Sequence, residues 1–540
     1  MPEQRTVDWW EVDKIQSDLE TFPPPEGAQG VEHLIQVQRE AIPLVFVPGI
    51  MGSRLRRTGT DGNGSTEGGL PDMRWDPGSQ WYMGTNWLWR GPARRRRMIV
   101  GPPDQNFSSN YLEVANTDPY GDGFAGIMGG EPKGGKAYLR FLTPLKTHDW
   151  GPLAKLFDFP VYAIGYNWSD DPENAGKWIA QKISDIIAEA KGVTGACEKV
   201  ILITHSMGGI VSRAASELCG ARDSILGIAH AVQPATGSPA AYWRMKAGFE
   251  GGGGIPKALG DSGPKVTCVL GNIPGGLALL PTKKHVTNGN QNAWLRVMDG
   301  GSVILQLPAQ DPPNPYEEIY TVKAVVQPSD PNLTPSGNNY WGLIDENLLD
   351  PENQPPSGNN ENEALDAASG LSPWNAYLNV LGIAESFHDN VGLAAHPYTL
   401  CLHGTGRDTA DIVELDVQKD DTWFNWRRNS YPDQGFKGYF TDANGNKRVA
   451  VLQNFQHQND GTDDGDGTVP VSSATALDAA GRPAPGDRAI NVEHQPAYEN
   501  AGVQDWAIQA IMTICKLRYY EKRGGAEGDF ESPQSDSATA

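Results

Sequence analysis

Short apolar runs alternate with helical sequence in the first half of the chain. The segments 42–47, 159–164 and 199–204 are almost uninterrupted apolar runs, a pattern typical of strands buried on both faces of a parallel sheet. Between the second and third runs, the apolar residues of 171–191 recur at three- and four-residue steps, as on one face of a helix. Another helix is predicted to begin near Ile210. This alternation predicts an α/β protein with a doubly wound, mostly parallel sheet.

The alternation stops after about residue 240, where proline, glycine and asparagine become frequent. The segment 241–390 is far longer than an ordinary connection of about two to six residues. We therefore expect it to be a large inserted cap or lid domain. Strand-like sequence returns at 397–402 and 488–492, and an amphipathic helix is predicted over 501–517.

The two ends of the chain are predicted to lie outside this core. Residues 1–40 are expected to form an irregular or partly helical arm, and the polar, glycine-rich segment 524–540 a disordered tail. The predicted domains are an α/β core made of residues 1–240 and 391–540, whose folded parts are 41–240 and 391–517, and a cap made of residues 241–390.

Composition narrows the possible partners. The chain has 540 residues, of which 39% are hydrophobic, and its formal net charge is −22. That length and apolar content suffice for a large buried core. No nucleic acid partner is expected, because binding to phosphate backbones requires a basic surface. The same charge disfavours a general attraction to anionic membranes.

Cysteine usage and the N-terminal sequence bear on the compartment. The five cysteines are widely scattered, and an odd number cannot pair completely within one chain. We expect mostly reduced thiols, which fits a protein folded in the cytoplasm. The N-terminal sequence has no apolar stretch behind a basic start, so no signal peptide is predicted. If the protein acts outside its cell, a dedicated secretion system is expected to export it.

The third apolar run leads into the sequence THSMGG at 204–209. A serine flanked by small residues at a sharp strand-to-helix turn is typical of the nucleophile elbow of α/β-hydrolases, usually written G-x-S-x-G. Gly208 occupies the second glycine position, whereas Thr204 replaces the first. Ser206 is therefore the predicted nucleophile, and a plain helix cap is the alternative interpretation of this serine.

A serine hydroxyl becomes reactive when a histidine, oriented by a carboxylate, takes its proton. In α/β-hydrolases these groups follow the chain order serine, acid, histidine. Asp466, in the turn DGDGTVP, and His494, in NVEHQPAYEN, stand in that order. Asp463 or Asp464 is the alternative acid. A calcium ion bound by 460–466 is an alternative role for this loop, although the bidentate acid of an EF-hand is missing.

Other histidines are weaker candidates for the base. His205 directly precedes the nucleophile, where the turn points the side chain away, so we predict a supporting structural role for it. His388, His396 and His403 lie near the return from the predicted cap. No cofactor or structural metal is predicted, since no cluster of cysteine and histidine has the spacing of a zinc site.

The oxyanion formed during ester cleavage requires two preorganised backbone N–H donors. One is predicted to come from Met207, the residue after the nucleophile, and the other from the loop after an early strand. The sequence PGIMGS at 48–53 fits that loop, because its glycines let N–H groups turn inward. We expect Ile50 to be the second donor, with Met51 as the alternative. A plain tight turn is the other interpretation of this loop.

Several motifs together resemble one family. VFVPGIMGSRL, YAIGYNWSDD, VILITHSMGG, LCLHGTG, DGDGTVP and NVEHQPAYEN occur in the order seen in lecithin:cholesterol acyltransferase-like lipases, and THSMGG also resembles the GPI inositol-deacylase group. The resemblance covers about 41–240 and 395–517, and it implies the same triad and oxyanion residues that the motifs predict. Two features differ from the family: YNWS at 166–169 lacks its arginine, and no cysteine-bridged lid is visible.

A chain with this site, a large cap and no signal peptide also resembles the antibacterial phospholipase effectors exported by type VI secretion. That resemblance implies an exported toxin and an immunity protein as its partner.

Tryptophans cluster just before a run of arginines. Trp81, Trp87 and Trp89 stand in the segment 75–90, and four arginines follow at 94–97. Tryptophan suits lipid–water boundaries and arginine pairs with phosphate, so the segment is predicted to be a lid or a membrane contact. The alternative is ordinary packing of the aromatic residues between cap and core, with the arginines paired to surplus acids.

The predicted reaction is hydrolysis of acyl esters in membrane lipids, with long acyl chains favoured by the capped, aromatic-rich surroundings. Two other functions fit the same sequence. One is a lipid acyltransferase that uses the same triad with a lipid alcohol in place of water. The other is a catalytically silent protein that binds a lipid or a protein partner.

Overall fold

A computed structural model gives the positions of most of the chain. The predicted tail, 524–540, and most of the predicted N-terminal arm lie outside the described residues. The residues that the structure describes are 4–9, 34–60, 65–66, 70–101, 107–118, 123–127, 138–251, 254–324, 339–352, 372–419, 435–442, 444–453, 464–477 and 488–522.

A six-stranded, fully parallel sheet forms the centre of the fold, which confirms the predicted α/β class. The apolar runs at 42–47, 159–164, 199–204 and 397–402 and the candidate at 488–492 each supply one strand. The remaining strand, at 225–231, was not predicted. The strands pair in the spatial order Val161–Ala163, Leu44–Val47, Val200–His205, Ile225–Ala231, Thr399–Thr405 and Arg488–Asn491.

Helices cover both faces of this sheet, because alternate side chains of each strand point to opposite sides. Val45 and Val47 pack into one apolar cluster together with residues of the helix Pro172–Thr194. Leu44 and Phe46 pack into a second cluster on the opposite face, against the terminal helix Ala501–Lys522. The near-continuous apolar pattern of the strands follows from this double burial.

The helix Pro172–Thr194 shows how local sequence sets the limits of an element. The carboxylate of Asp171 accepts the N–H of Glu173 at 2.9 Å, and Pro172 stands in the first turn, where its missing N–H costs nothing. The helix ends at Gly195, whose φ of 84° is favourable only for glycine. The sequence predicted this helix to within three residues at each end.

A second sheet of five strands joins residues from both sides of the predicted cap boundary at 390. The parallel pair Leu295–Asp299 and Val413–Lys419 connects the two sides, and the other pairs are antiparallel. The predicted boundary at residue 390 therefore runs through this sheet, so the residues before and after it share one sheet. Its spatial order is Ser302–Leu307, Leu295–Asp299, Val413–Lys419, Lys447–Leu452 and Lys437–Thr441.

The N-terminal arm differs from its prediction. Gln4–Asp8 and Leu34–Gln38 form a parallel strand pair where irregular or helical sequence was expected. The alternation of apolar and polar residues in Leu34–Gln38 has the period of a strand. The smaller strands are Glu40–Ala41 with Phe157–Asp158, Leu55–Arg57 between Met73–Trp75 and Leu112–Val114, Ser65–Thr66 with Leu70–Pro71, and Arg407–Asp408 with Asp464–Gly465.

The remaining helices lie between and around these sheets. Within the described ranges, no helix combines the length and apolar composition needed to cross a membrane. The five cysteines all lie within the described ranges, and none of them forms a disulfide bond. The helical segments not yet named are Gln80–Met83, Gly84–Leu88, Pro92–Ile99, Leu139–Leu145, Gly151–Lys155, Met207–Glu217, Arg222–Ser224, Pro239–Ala247, Gly254–Leu259, Gly263–Leu270, Pro274–Leu277, Tyr316–Tyr320, Glu346–Leu348, Pro373–Val391, Val471–Ala474 and Ala497–Glu499.

Candidate active site

Ser206 lies at the turn between a central strand and the helix Met207–Glu217. Its φ of 52° and ψ of −128° are strained values for a residue with a side chain. A Cβ on Gly208 would stand 2.3 Å from the carbonyl oxygen of Val47, so only glycine fits two residues after the serine. Thr204 replaces the usual first glycine, and its buried hydroxyl is hydrogen-bonded to His230 Nδ1 at 2.8 Å. The local geometry is that of a nucleophile elbow.

Three predicted residues meet at the carboxyl end of the central sheet. His494 Nε2 lies 2.8 Å from Ser206 Oγ, and His494 Nδ1 lies 2.7 Å from Asp466 Oδ2. A carboxylate only accepts hydrogen bonds, so the proton of the neutral imidazole resides on Nδ1 and leaves Nε2 free to accept from the serine hydroxyl. This arrangement of atoms is able to take a proton from Ser206 as the oxygen attacks.

The acidic turn holds Asp466 in one orientation. Its second oxygen, Oδ1, accepts the N–H groups of Thr468 at 2.9 Å and Val469 at 2.7 Å. The backbone N–H of His494 donates to the carbonyl oxygen of Asp466 at 2.9 Å. A Cβ on Gly404 would stand 2.5 Å from Cβ of Asp466, so the first glycine of LHGTG makes room for the acid. The position of Asp466 therefore depends on the segments that carry Gly404 and His494.

The loop at 48–53 lies directly against the serine. A Cβ on Gly49 would stand 3.0 Å from Cβ of Ser206 and 2.8 Å from His205 Nδ1. Within the described part of the chain, the backbone N–H groups of Met207, of Ile50 and of the alternative donor Met51 have no hydrogen-bond acceptor. Donors that are left open beside a nucleophile suit an oxyanion. The assignment of Ile50 and Met207 stays a prediction, and the position of the loop is compatible with it.

Tyr138 and His205 connect this loop to the base. The N–H of Gly49 donates to Tyr138 Oη at 3.2 Å, and Tyr138 Oη lies 3.0 Å from His205 Nδ1. His205 Nε2 lies 2.9 Å from the carbonyl oxygen of His494, so Nε2 carries the proton and Nδ1 accepts from the phenol. Burial lowers the pKa of His205 to about 3 and keeps its imidazole neutral.

These contacts are compatible with the supporting role predicted for His205. The sequence analysis did not identify Tyr138 as part of the site. Tyr138 belongs to no recognisable motif, and it stands 67 positions before His205 in the sequence. Only the expectation that a buried histidine needs partners for both ring nitrogens would have called for such a residue.

Replacing Tyr138 by phenylalanine should weaken the site and the fold together. The change leaves the buried N–H of Gly49 without an acceptor and Nδ1 of His205 without a donor, at a cost of about 2 kcal/mol in unfolding free energy. We expect kcat for ester hydrolysis to fall roughly tenfold as the loop loosens. Urea unfolding and steady-state kinetics measure the two effects. Tyr162→Phe, which removes an exposed phenol bonded to Glu189, is the matched control, and an unchanged kcat for Tyr138→Phe contradicts the prediction.

The alternative bases and acid have other partners. His388 Nε2 lies 2.8 Å from the carbonyl oxygen of Ala278, and His396 Nδ1 accepts the N–H of Tyr398 at 3.2 Å. His403 lies within the strand Thr399–Thr405. Asp464 accepts the N–H of Gly406 at 2.6 Å instead of bonding to a histidine. Asp463 and most of the proposed calcium loop 460–466, namely residues 460–463, lie outside the described residues.

The tryptophan segment separates into buried and exposed side chains. Trp87 is only 3% exposed and donates to the carbonyl oxygen of Arg74 at 3.2 Å, so its prediction as a membrane contact is wrong. It packs edge-on against Trp75, with ring centroids 4.7 Å apart. Trp81 and Trp89, by contrast, are 74% and 75% exposed. The sequence could not separate them, because all stand in one polar-aromatic stretch.

The arginine run separates in the same way. Arg95 and Arg96 are buried and donate to backbone carbonyl oxygens, and Arg97 pairs with Glu352 at 2.5 Å. Arg94 is half-buried, and burial lowers its pKa. Most of the run is therefore structural, as the packing alternative predicted.

Comparisons with known proteins test the fold. No family model and no curated protein matches the chain. Phospholipase PlaB from Legionella pneumophila is 14% identical over 54% of this chain and 73% of that chain, with a TM-score of 0.14, which is too low to indicate a shared fold. A crystal structure of the Tle4–Tli4 complex contains a chain that is 22% identical, with 89% of this chain and 99% of that chain covered and a TM-score of 0.62. The chain therefore shares its fold, over most of its length, with a protein of the Tle4–Tli4 complex.

Proposed function

We propose that the protein is a serine hydrolase of the α/β-hydrolase type that cleaves acyl esters of membrane lipids. The observation that carries this proposal is the position of His494, whose Nε2 is 2.8 Å from Ser206 Oγ and whose Nδ1 is 2.7 Å from Asp466 Oδ2. An imidazole that accepts from a hydroxyl through one ring nitrogen and donates to a carboxylate through the other activates that hydroxyl as a nucleophile. The strained backbone of Ser206 supports the same role.

The reaction proceeds in two steps. Ser206 Oγ attacks the ester carbonyl carbon while His494 takes its proton, and the negative oxygen is held by the N–H groups of Ile50 and Met207. Each such donor is worth about 10²–10³ in rate. His494 then protonates the departing alcohol, and a water molecule, deprotonated by the same histidine, releases the fatty acid. Asp466 stabilises the imidazolium in both steps.

The lipid substrate and the cap belong to the same proposal. Ser206 is only 4% exposed, as expected for a site that excludes water beneath a cap. Arg244, in the helix Pro239–Ala247, donates to Thr468 Oγ1 at 3.0 Å, beside Asp466. We propose that residues 241–390, together with the strands at 413–452, cover the remainder of the core formed by 1–240 and 391–540. The motifs resembling lecithin:cholesterol acyltransferase-like lipases support long-chain lipid esters.

We also propose that the protein is made in the cytoplasm, exported by a dedicated secretion system and blocked by an immunity protein in the producing cell. The resemblance to type VI phospholipase effectors supports this role. The similar solved chain is part of a two-protein complex, Tle4–Tli4, which supports a protein partner for this chain as well.

Labelling with a fluorophosphonate probe tests the enzymatic core of the proposal. We expect the wild-type protein to be labelled at Ser206 and the Ser206→Ala variant to remain unlabelled. Both proteins are then incubated with mixed phospholipids and glycerides, and products are identified by mass spectrometry. Free fatty acid from the wild type alone supports hydrolysis, whereas acyl products on an added alcohol indicate an acyltransferase. An unlabelled wild-type protein indicates a silent binding protein and overturns the proposal.

A further inference from the structure

Two tryptophans and an isoleucine from separate parts of the chain expose large apolar side chains. Trp81 is 74%, Trp89 is 75% and Ile255 is 67% exposed. The other exposed apolar side chains are smaller, such as Val193 at 83%, or less exposed, such as Ile304 at 55% and Tyr520 at 48%. Scattered exposed apolar residues are normal on a protein surface, but a group of large ones marks an interaction site.

These side chains belong to one continuous surface. Trp81 lies in the helix Gln80–Met83, and Trp89 follows directly after the adjoining π-helical turn Gly84–Leu88, which has more residues per turn than an α-helix, so the two side chains are about two turns apart. Lys257, two residues after Ile255, places its ammonium 5.0 Å from the centre of the Trp89 ring. Buried Arg95 fixes the two segments to each other by donating to the carbonyl oxygens of Lys257 and Trp87 at 2.5 and 2.9 Å.

The same surface is basic in an acidic protein. Arg90 is exposed, and its guanidinium donates to the carbonyl oxygen of Thr85 at 2.7 Å. Within the residues that the structure describes, neither Arg90 nor Lys257 forms an ion pair. Unpaired cations are unexpected in a chain of net charge −22, since surplus carboxylates are available to pair with them. Cations beside exposed tryptophan rings match the phosphate and interface layers of a bilayer.

The surface also adjoins the candidate active site. Beneath Trp81 and Trp89, the ring of Trp87 packs on Trp75, and Trp75 Nε1 donates to the carbonyl oxygen of Met51 at 2.6 Å. Met51 follows Ile50 in the loop that lies against Ser206. Two buried aromatic rings therefore connect the exposed surface to the loop that carries the predicted oxyanion donor Ile50.

We propose that Trp81, Trp89 and Ile255, with Arg90 and Lys257, form a docking surface for anionic phospholipid bilayers, which we call the tryptophan surface. The inference rests on the proposed function, because a hydrolase of membrane lipids must bring its site to a bilayer. The tryptophan rings insert at the headgroup level, and the two cations contact lipid phosphates. This local attraction operates although the overall charge of the protein is repelled by an anionic membrane.

Co-sedimentation with vesicles tests the tryptophan surface apart from catalysis. Full-length Ser206→Ala protein, which cannot consume the lipid, is mixed with vesicles of phosphatidylcholine alone or with added phosphatidylglycerol. We expect binding to the anionic vesicles, and a fall of at least about tenfold in the partition coefficient when Trp81→Ala and Trp89→Ala are added. Arg90→Glu with Lys257→Glu should lower binding by more than about tenfold and reduce its salt dependence.

The matched control is Tyr520→Ala, which removes an aromatic side chain that is 48% exposed. Tyr520 lies two residues after Arg518, which forms an ion pair with Glu40. Glu40 precedes the strand Leu44–Val47, so Tyr520 lies near the amino end of the central strands, opposite the end that carries the candidate site. We expect this variant to bind vesicles like its parent, and thermal melting verifies that each variant is folded. Unchanged binding by the folded double tryptophan variant, or no binding by the parent, overturns the tryptophan surface. Tryptophan-dependent binding by a protein whose wild type resists fluorophosphonate supports the surface and overturns only the proposed hydrolysis.

Discussion

Alanine in place of His494 is expected to lower kcat for ester hydrolysis by about 10⁶-fold, and asparagine in place of Asp466 by about 10⁴-fold. Without the imidazole, no group takes the proton of Ser206 Oγ. With Asp466→Asn, the side-chain amide donates to His494 Nδ1, so the imidazole proton moves to Nε2. Nε2 then faces Ser206 as a donor and cannot accept the serine proton. Steady-state kinetics on a short-chain ester measures both losses.

The combination of variants makes this prediction sharper. Residues that act as one unit give losses that do not add, so Ser206→Ala with His494→Ala should be no slower than either single variant. His148→Ala, at a half-exposed histidine outside the site, is the control and should keep the wild-type kcat. If His494→Ala loses less than about tenfold in kcat, another group is the base and the proposed mechanism is wrong.

Acid is expected to unfold the protein steeply between about pH 6.5 and 4, because five buried histidines resist protonation in the folded state. Burial lowers the pKa to about 3 for His205 and His230, and to about 4 for His285, His388 and His396. In the unfolded chain each has a pKa of about 6.5. Above that pH both states are neutral and the full stability is present. Below it the unfolded chain binds protons that the folded protein cannot, so stability falls with pH.

The size of this effect follows from linkage. Each histidine lowers the unfolding free energy by about 1.4 kcal/mol per pH unit, so the five together give roughly 7 kcal/mol per unit. A total stability of about 5–15 kcal/mol is lost within one or two pH units at that slope. Urea unfolding at a series of pH values measures it. His396→Gln should reduce the slope by about one fifth, and a flat profile down to pH 4 contradicts the prediction.

The central sheet was largely predictable because its strands are buried on both faces. The exception, Ile225–Ala231, is interrupted by Gly227 and His230, which disguise an apolar run. Both interruptions have tertiary causes: a Cβ on Gly227 would stand 2.8 Å from the side chain of Ile514, and His230 is bonded to Thr204. The sequence around the strand contains neither partner.

The candidate site was predictable where chemistry demands particular residues at particular turns. Ser206, Asp466 and His494 each stand in a motif, and the parallel sheet brings the motifs to one edge. Tyr138 and the burial of Trp87 were not predictable, because each depends on which distant segment happens to pack against it. The second sheet escaped prediction for a similar reason: the parallel pair that joins its two parts connects residues near 297 and 415, and the apolar run of Ser302–Leu307 is mostly exposed at the edge of the sheet instead of buried in a core.

The way that sheet is assembled limits how the chain can be shortened. Excision of residues 241–390 would delete Leu295–Asp299 and leave the hydrogen-bonding edge of Val413–Lys419 bare, with Val413, Leu415 and Val417 uncovered. A bare apolar edge recruits strands from other molecules, so such a trimmed protein should aggregate. A minimal soluble catalyst has to lose both halves of the sheet at once, the piece before residue 390 and the piece from 413 to 452.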